Sequence, residues 1–493
     1  MSRTGAAALG PRPRIGIPTK IAYGFGSAAY GVKDSGFKSF LLLFYNQVVG
    51  LPAASVGLAI LIAMLVDSLL DPIIGHVSDN WRGKWGRRHP MMYASAIPAA
   101  LSFLLLWNPP QGWSDTALLG YLIVVAVIAR TCITVYEIPS AAMVAELTED
   151  YDERTSILGY RYFFGWWGGL ALAVAMFLVF LQPTERYPVG QLNRDGYVLY
   201  GYAGAILMAV SILMSAWGTH RFIPWMRKAP PKAARGVLGE FRRMVEAVNN
   251  RSLLLMLGVG LFMAAAQGVV FALAFYWGVY FWGLNSSEMV ILIVDGFFAA
   301  AIALVVAPRV GKRFGKRVAA CVLLVASIVV GFLPFILRFA GFFPDNGSPW
   351  VVPILFIDGI FRTSFAIICT ILVASMIADV VEDSELKTGR RNEGLFFAVM
   401  SLVQKAVSGA GALIASMLLA VVGFPQKADP ATIDPEVVRN LALVYMPTVA
   451  GLYAVAIVFI LSYRITRKTH ADNLAQLRAR GEMLEDAMEP TIP

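Results

Sequence analysis

Histidine and cysteine are nearly missing from this sequence, with four and three copies in 493 residues. The histidines (His76, His89, His220 and His470) form no pair at metal-ligand spacing. Cys132, Cys321 and Cys369 are widely separated and lie in apolar runs, which excludes a disulfide framework and a CxxC metal site. No P-loop, GxSxG or HExxH motif occurs. ATP-driven pumping and intramembrane proteolysis therefore lack their chemistry, and no catalytic residue or cofactor is assigned. Charge is scarce too, at 15% of residues, where a soluble chain carries about 25%. The first 20 residues lack an apolar run followed by a small-residue cleavage site, so no cleaved signal peptide is expected. The net charge of +9 is not gathered into a compact basic domain, so nucleic acid is not an expected partner.

What is abundant is apolar surface. Hydrophobic residues make up 58% of the chain, and its mean hydropathy is +0.65. Runs long enough to span a bilayer recur twelve times, at about 21–48, 55–79, 90–107, 117–145, 156–182, 197–219, 252–283, 287–308, 318–341, 351–377, 394–423 and 440–463. Barrel strands are only about 10 residues long and alternate, so these runs predict an all-α polytopic membrane protein. Lys and Arg gather in the loops after spans 2, 6 and 8, while residues 49–54 and 108–116 have none. The positive-inside rule then places both termini in the cytoplasm, as for a bacterial inner-membrane protein with basic rims beside anionic lipid.

The chain repeats itself. Gly86-Arg87-Arg88 after span 2 aligns with Gly315-Lys316-Arg317 after span 8, an offset of 315 − 86 = 229. Asp150 after span 4 aligns with Asp383 after span 10, an offset of 383 − 150 = 233. Two matches at nearly one offset predict two six-helix halves, residues 1–219 and 251–465. A basic linker at 220–250, with an amphipathic stretch, joins them, and a tail at 466–493 follows. Repeated halves around a midplane site are the architecture of secondary transporters. Arg88, Asp150, Arg317, Glu382 and Asp383 are the candidates for a cytoplasmic gate.

Asp67 and Asp71 lie inside span 2, one helical turn apart on one face. Each ionised carboxylate at a bilayer centre costs roughly 2.5–3.5 kcal/mol, so intramembrane acids mark function or an ion pair. This pair is a candidate coupling-ion site, the only place where a Na⁺ is expected; a structural pair with a basic residue on another helix is the alternative. Span 1 carries Asp34 between Lys33 and Lys38, and span 4 carries Arg130, Thr134 and Glu137 on one stripe. Arg161 in span 5 stands one and two turns before Gly165 and Gly168, a groove that another helix or a ligand can approach. Span 11 carries Ser401 and Lys405 on one face, and span 10 an Asp358/Arg362 pair that can neutralise itself. Asp34, Glu137 and Arg161 offer acceptors and donors from three helices, as a polyhydroxylated ligand requires.

The segments DSLLDPIIGHVSD, GKWGRRHP, YEIPSAAMVAELTEDYDERT, RYFFGW and ADVVEDSELKTGRRNEGLFF resemble the glycoside–pentoside–hexuronide:cation symporters, a melibiose permease-like family of the major facilitator superfamily. The resemblance runs over nearly all twelve spans. It implies a major facilitator fold and import of a sugar or glycoside coupled to H⁺ or Na⁺, by a monomer. It also implies that Asp67 and Asp71, with Thr134, hold the coupling cation. Asp34, Glu137 and Arg161 would bind the sugar, with Lys405 and Ser401 beside them. Three positions depart from the best-known members: Leu70 replaces an asparagine, Glu137 an aspartate and Ala141 an aromatic residue, and Arg130 has no counterpart. Without the asparagine amide, a proton, which needs only one carboxylate, suits the site better than Na⁺. A lysophospholipid-like amphiphile or an organic acid is the alternative substrate. A non-transporting receptor or scaffold is the alternative of another class.

Overall fold

The computed structural model of the protein describes residues 13–148, 150–226, 251–388, 393–463 and 476. Most of the expected linker and tail lie outside the described residues, including the amphipathic stretch at 237–248. Side chains at 381–402 are likewise outside them.

Among the described residues, eleven helices are long and apolar enough to cross a membrane. They are α2 (Ala53–Asn80), α3 (His89–Leu106), α4 (Asp115–Leu147), α5 (Tyr151–Ala175), α6 (Arg194–His220), α7 (Arg251–Tyr276), α8 (Ile291–Phe314), α9 (Lys316–Phe339), α10 (Val351–Thr388), α11 (Glu393–Val421) and α12 (Pro435–Leu461). The expected first span is also helical but broken. We call α1 the succession Ile17–Phe25, Ser27–Ser35, the π-helical Gly36–Phe40, Leu41–Leu43 and the π-helical Phe44–Val49. Inserted π turns are frequent at functional sites, and Asp34 stands two residues before the first of these.

Local sequence sets the ends. Ser114, Asp150 and Asn193 cap α4, α5 and α6, each side-chain oxygen accepting from backbone N–H groups of the first turn. Gly50, at φ +100°, takes the left-handed conformation that ends α1. Pro139 lies inside α4 without ending it.

The described residues fall into two compact units. The first holds everything up to residue 226, together with Gln267–Ile293 and Lys405–Val444. The second holds residues 251–266, Val294–Gln404 and the chain from Tyr445. The ends of α7 and α11 thus pack with the first unit, across the sequence boundary expected at 251.

In the first unit α1 packs on α5 and α6, α2 on α4, and α3 on α4 and α6. The α1–α5 contact is built from small residues. A Cβ on Gly169 would meet the backbone of Gly31, and one on Gly168 would meet Ala28. The groove expected at Gly165 and Gly168 is therefore filled by a helix, α1. Because the obstructing atoms are backbone, Gly169→Val is expected to push α1 off α5 and lower the thermal midpoint by several degrees. A midpoint equal to the parent's in a detergent melt would contradict this packing.

At the end of α1 remote from the basic loops, polar side chains join three segments of the same unit. Tyr276 donates to Asn46 Oδ1 at 2.8 Å and Tyr280 to Gln47 Oε1 at 3.0 Å. Gln47 also accepts from the Ala428 N–H at 2.9 Å and donates to the Pro425 carbonyl at 3.1 Å.

The second unit is built on α9 packed against α10. Phe262 stacks on Phe459 within it.

Candidate functional site

The internal repeat is realised as a pair of ion bridges. In the first unit Arg87 Nη2 lies 2.6 Å and Arg88 Nε 3.0 Å from Glu146 Oε1. In the second, Lys316 Nζ lies 2.7 Å from Asp379 Oδ1, and Tyr463 also donates to Asp379. The offsets, 316 − 87 = 229 and 379 − 146 = 233, are those found in the sequence. The first bridge ties the loop entering α3 to the end of α4, and the second ties the start of α9 to α10.

The expected gate residues make other contacts. Arg88 is taken by Glu146, by Asp79 at 2.6 Å and by Ser78, instead of Asp150. Asp150 lies beyond the end of α4, where its carboxylate accepts the Glu153 N–H at 2.7 Å as the cap of α5. Arg317 donates to the Tyr463 carbonyl at 3.2 Å. The side chains of Glu382, Asp383 and Ser401 lie outside the described residues.

The span-2 acids have partners supplied by the protein. Asp67, fully buried, accepts from Thr134 Oγ1 at 2.6 Å on Oδ1 and from Arg130 Nη2 at 2.7 Å on Oδ2. Both partners come from α4, whose 130/134 spacing presents them one turn apart to α2. The Arg130 side chain is 4% exposed. It also lies over the Phe37 ring, 5.1 Å from its centroid. Asp71, the next acid along α2, is held by Lys405 Nζ at 2.6 Å on Oδ2, while its Oδ1 is buried without a hydrogen-bond partner. This second pair is more open, at 19% and 22% exposure for the two side chains. The Asp67–Arg130 pair is sealed, whereas the Asp71–Lys405 pair is accessible.

A third group gathers beside it. Arg161 Nη1 donates to Tyr23 Oη at 3.1 Å and to Ser140 Oγ at 3.0 Å, and its Nη2 is 3.8 Å from Glu137 Oε1. Tyr23 in turn donates to the Ser140 carbonyl at 2.8 Å. The structure thus brings Glu137 and Arg161 together and adds Tyr23 and Ser140, whose neutral hydroxyls gave no signal in the sequence. Asp34 pairs with Lys38 at 2.8 Å on its own helix. Lys33, almost completely buried, lies within electrostatic reach of Arg130, Asp67, Glu137 and Asp34, which links the first and third groups and Asp34. The glycine-flanked Trp166 and Trp167 are exposed on α5.

In the second unit Arg362 is shared. Its Nε is 3.8 Å from Asp358 and its Nη2 is 3.8 Å from Asp295, which also accepts from Thr363. The expected self-neutralising pair therefore has a third member. Asp295, an acid inside the apolar run ILIVDGFF, was the visible but unused signal. Among the described residues, no cluster of His, Cys, Asp and Glu fit to hold a metal ion is found.

Comparison with known proteins agrees with this architecture. Residues 22–467 match the family described as MFS/sugar transport protein. An uncharacterized symporter of Synechocystis sp. is 26% identical, covering 95% of this chain and 97% of its own. An isoprimeverose transporter of Lactiplantibacillus pentosus is 23% identical, covering 95% and 93%. Among solved structures, a D-xylose–proton symporter superposes with a TM-score of 0.60 at 14% identity, covering 92% of this chain and 98% of that one, and so shares the fold.

Proposed function

The chain belongs to the MFS/sugar transport protein family, and from that premise we propose that it is a proton-coupled symporter that imports a sugar or glycoside by alternating access. The observation that carries this reading is the Arg161–Glu137–Tyr23–Ser140 group, set beside the open Asp71–Lys405 pair. The group offers donors and acceptors from α1, α4 and α5, with Arg161 and Glu137 partly exposed and Tyr23 and Ser140 buried behind them. Sugar hydroxyls need both kinds of partner. Asp34, with Lys38, is the further polar edge of the site.

Coupling runs through Asp71. Its carboxylate is neutralised by Lys405 in the state described here. When Lys405 turns to the substrate, Asp71 needs another positive partner, and a proton is one. Release of the proton to the cytoplasm restores the ion pair. Sugar and proton therefore favour each other's binding, which is the thermodynamic requirement for coupling. The basic loops place both termini in the cytoplasm, and the sealed polar cluster around Asn46 and Gln47 then lies at the outer face.

The test is uptake into proteoliposomes of a panel of labelled neutral glycosides and pentosides under an imposed inward proton gradient. At least one sugar is expected to accumulate several-fold, and a protonophore is expected to abolish that accumulation. Uptake of none of the panel, with lysophospholipid or organic-acid uptake instead, would replace the sugar in this reading.

A further inference from the structure

We propose that Arg130 is a tethered cation standing in the seat that an alkali ion would take at Asp67, so that this protein neither binds Na⁺ there nor is driven by it. The proposal rests on reading the span-2 acids as the coupling region.

The donor inventory carries it. Asp67 and Asp71 together have four carboxylate oxygens. Arg130 takes one, Thr134 a second and Lys405 a third, at 2.7, 2.6 and 2.6 Å. Only Asp71 Oδ1 lacks a partner. Leu70, in the turn between the two acids, supplies no oxygen. Thr134 donates its hydroxyl proton to Asp67. A hard alkali cation needs a shell of several oxygens, and three of these four already face a protein donor, two of them a fixed positive charge.

Displacement of the guanidinium is also unfavourable. An arginine cannot lose its proton to make way, because it stays charged at every accessible pH. Its Nε and Nη1 are already buried without hydrogen-bond partners, and Asp67 is the carboxylate it bridges. Pushed off Asp67, the charge would be left in an apolar setting beside Phe37, a far costlier state than the pair.

The Lys405–Asp71 pair differs because a lysine on a flexible stem can leave one carboxylate for a ligand. Arg130 thus fixes Asp67 as a static positioning group and leaves the exchange to Asp71.

The experiment uses the full-length protein in nanodiscs, without sugar, with NaCl exchanged against choline chloride at constant ionic strength. Equilibrium binding of ²²Na⁺ and the thermal midpoint are read together. The wild-type chain is expected to bind no Na⁺ saturably and to show no Na⁺-specific change in midpoint. Arg130→Gly is expected to open the seat, so that Na⁺ binds saturably and raises the midpoint where choline does not, as a ligand of the native state must. Arg130→Lys, which keeps a tethered charge, is expected to stay insensitive to Na⁺. Saturable Na⁺ binding by the wild-type chain would overturn the proposal, and so would a folded Arg130→Gly variant with no Na⁺ response. The wild-type measurement decides alone if Arg130→Gly does not fold. Because no sugar is present, failure here leaves the sugar-transport reading intact, and a chain that carries no sugar would still give the Na⁺ result.

Discussion

Asp67→Asn is expected to lower the thermal midpoint sharply and to abolish uphill sugar uptake. The stability effect follows from burial. Asp67 and Arg130 are 0% and 4% exposed and are joined at 2.7 Å. Removing one partner of such a pair leaves an uncompensated charge in the interior, which costs about 3–5 kcal/mol, whereas replacing both partners with neutral groups is often close to neutral. The double variant Asp67→Asn/Arg130→Leu should therefore regain most of the lost midpoint. A double-mutant cycle in a detergent melt reads the difference as a coupling energy. The transport effect follows from the same loss. Without its carboxylate the Arg130 charge is left over the Phe37 ring, and the α2–α4 tie beside the Asp71–Lys405 pair is gone. Equal midpoints for the single and double variants would show that the ion pair holds nothing together. Uphill uptake at the parental level in the single variant would remove Asp67 from the coupling machinery.

The spans were legible in the sequence because hydropathy alone sets where a backbone must be helical in lipid. Helix α1 was legible as a span but not as a broken one, since the break at Gly26 and the π turns from Gly36 depend on what packs against them and not on composition. A Cβ at Gly26 would run into Tyr136 and Ser215. The repeat offset was legible, but the paired acid was misplaced by one turn. Glu146 and Asp150 are four residues apart, and only the end of α4 at Leu147 decides which of them faces Arg87 and Arg88. Asp67 and Asp71 were legible as costly acids. Their partners were not, because spacing along α4 fixes a face but cannot say which neighbouring helix that face meets. Arg130 looked unassignable in the sequence for this reason, and the α2–α4 contact gives it a place. Tyr23 and Ser140 were invisible, since neutral hydroxyls in apolar runs are ordinary until an arginine is seen to bind them.

Arg161→Gln and Glu137→Gln are expected to weaken sugar binding while leaving the Asp67–Arg130 pair and the midpoint nearly intact. Arg161 holds two hydroxyls, Tyr23 Oη and Ser140 Oγ, at 3.1 and 3.0 Å, and stands 3.8 Å from Glu137. The loose spacing to Glu137 leaves room for a ligand hydroxyl to accept from one and donate to the other. A hydrogen bond to a charged group is worth roughly 1.5–3 kcal/mol, so each variant should lose about ten- to hundredfold in affinity. Arg161→Lys separates charge from geometry. A lysine keeps the charge but cannot present the planar fork that reaches two oxygens at once, so it should recover only part of the loss. Tyr23→Phe removes one neutral partner and should cost less than either charged variant. The measurement is calorimetric titration with the glycoside that accumulates most strongly in uptake assays, alongside a thermal melt of each variant. Unchanged affinity in both Arg161→Gln and Glu137→Gln would put the ligand elsewhere. A large fall in midpoint with proportionate loss of binding would instead make Arg161 a brace for α1 and α4, holding Tyr23 and Ser140 in place without touching the sugar.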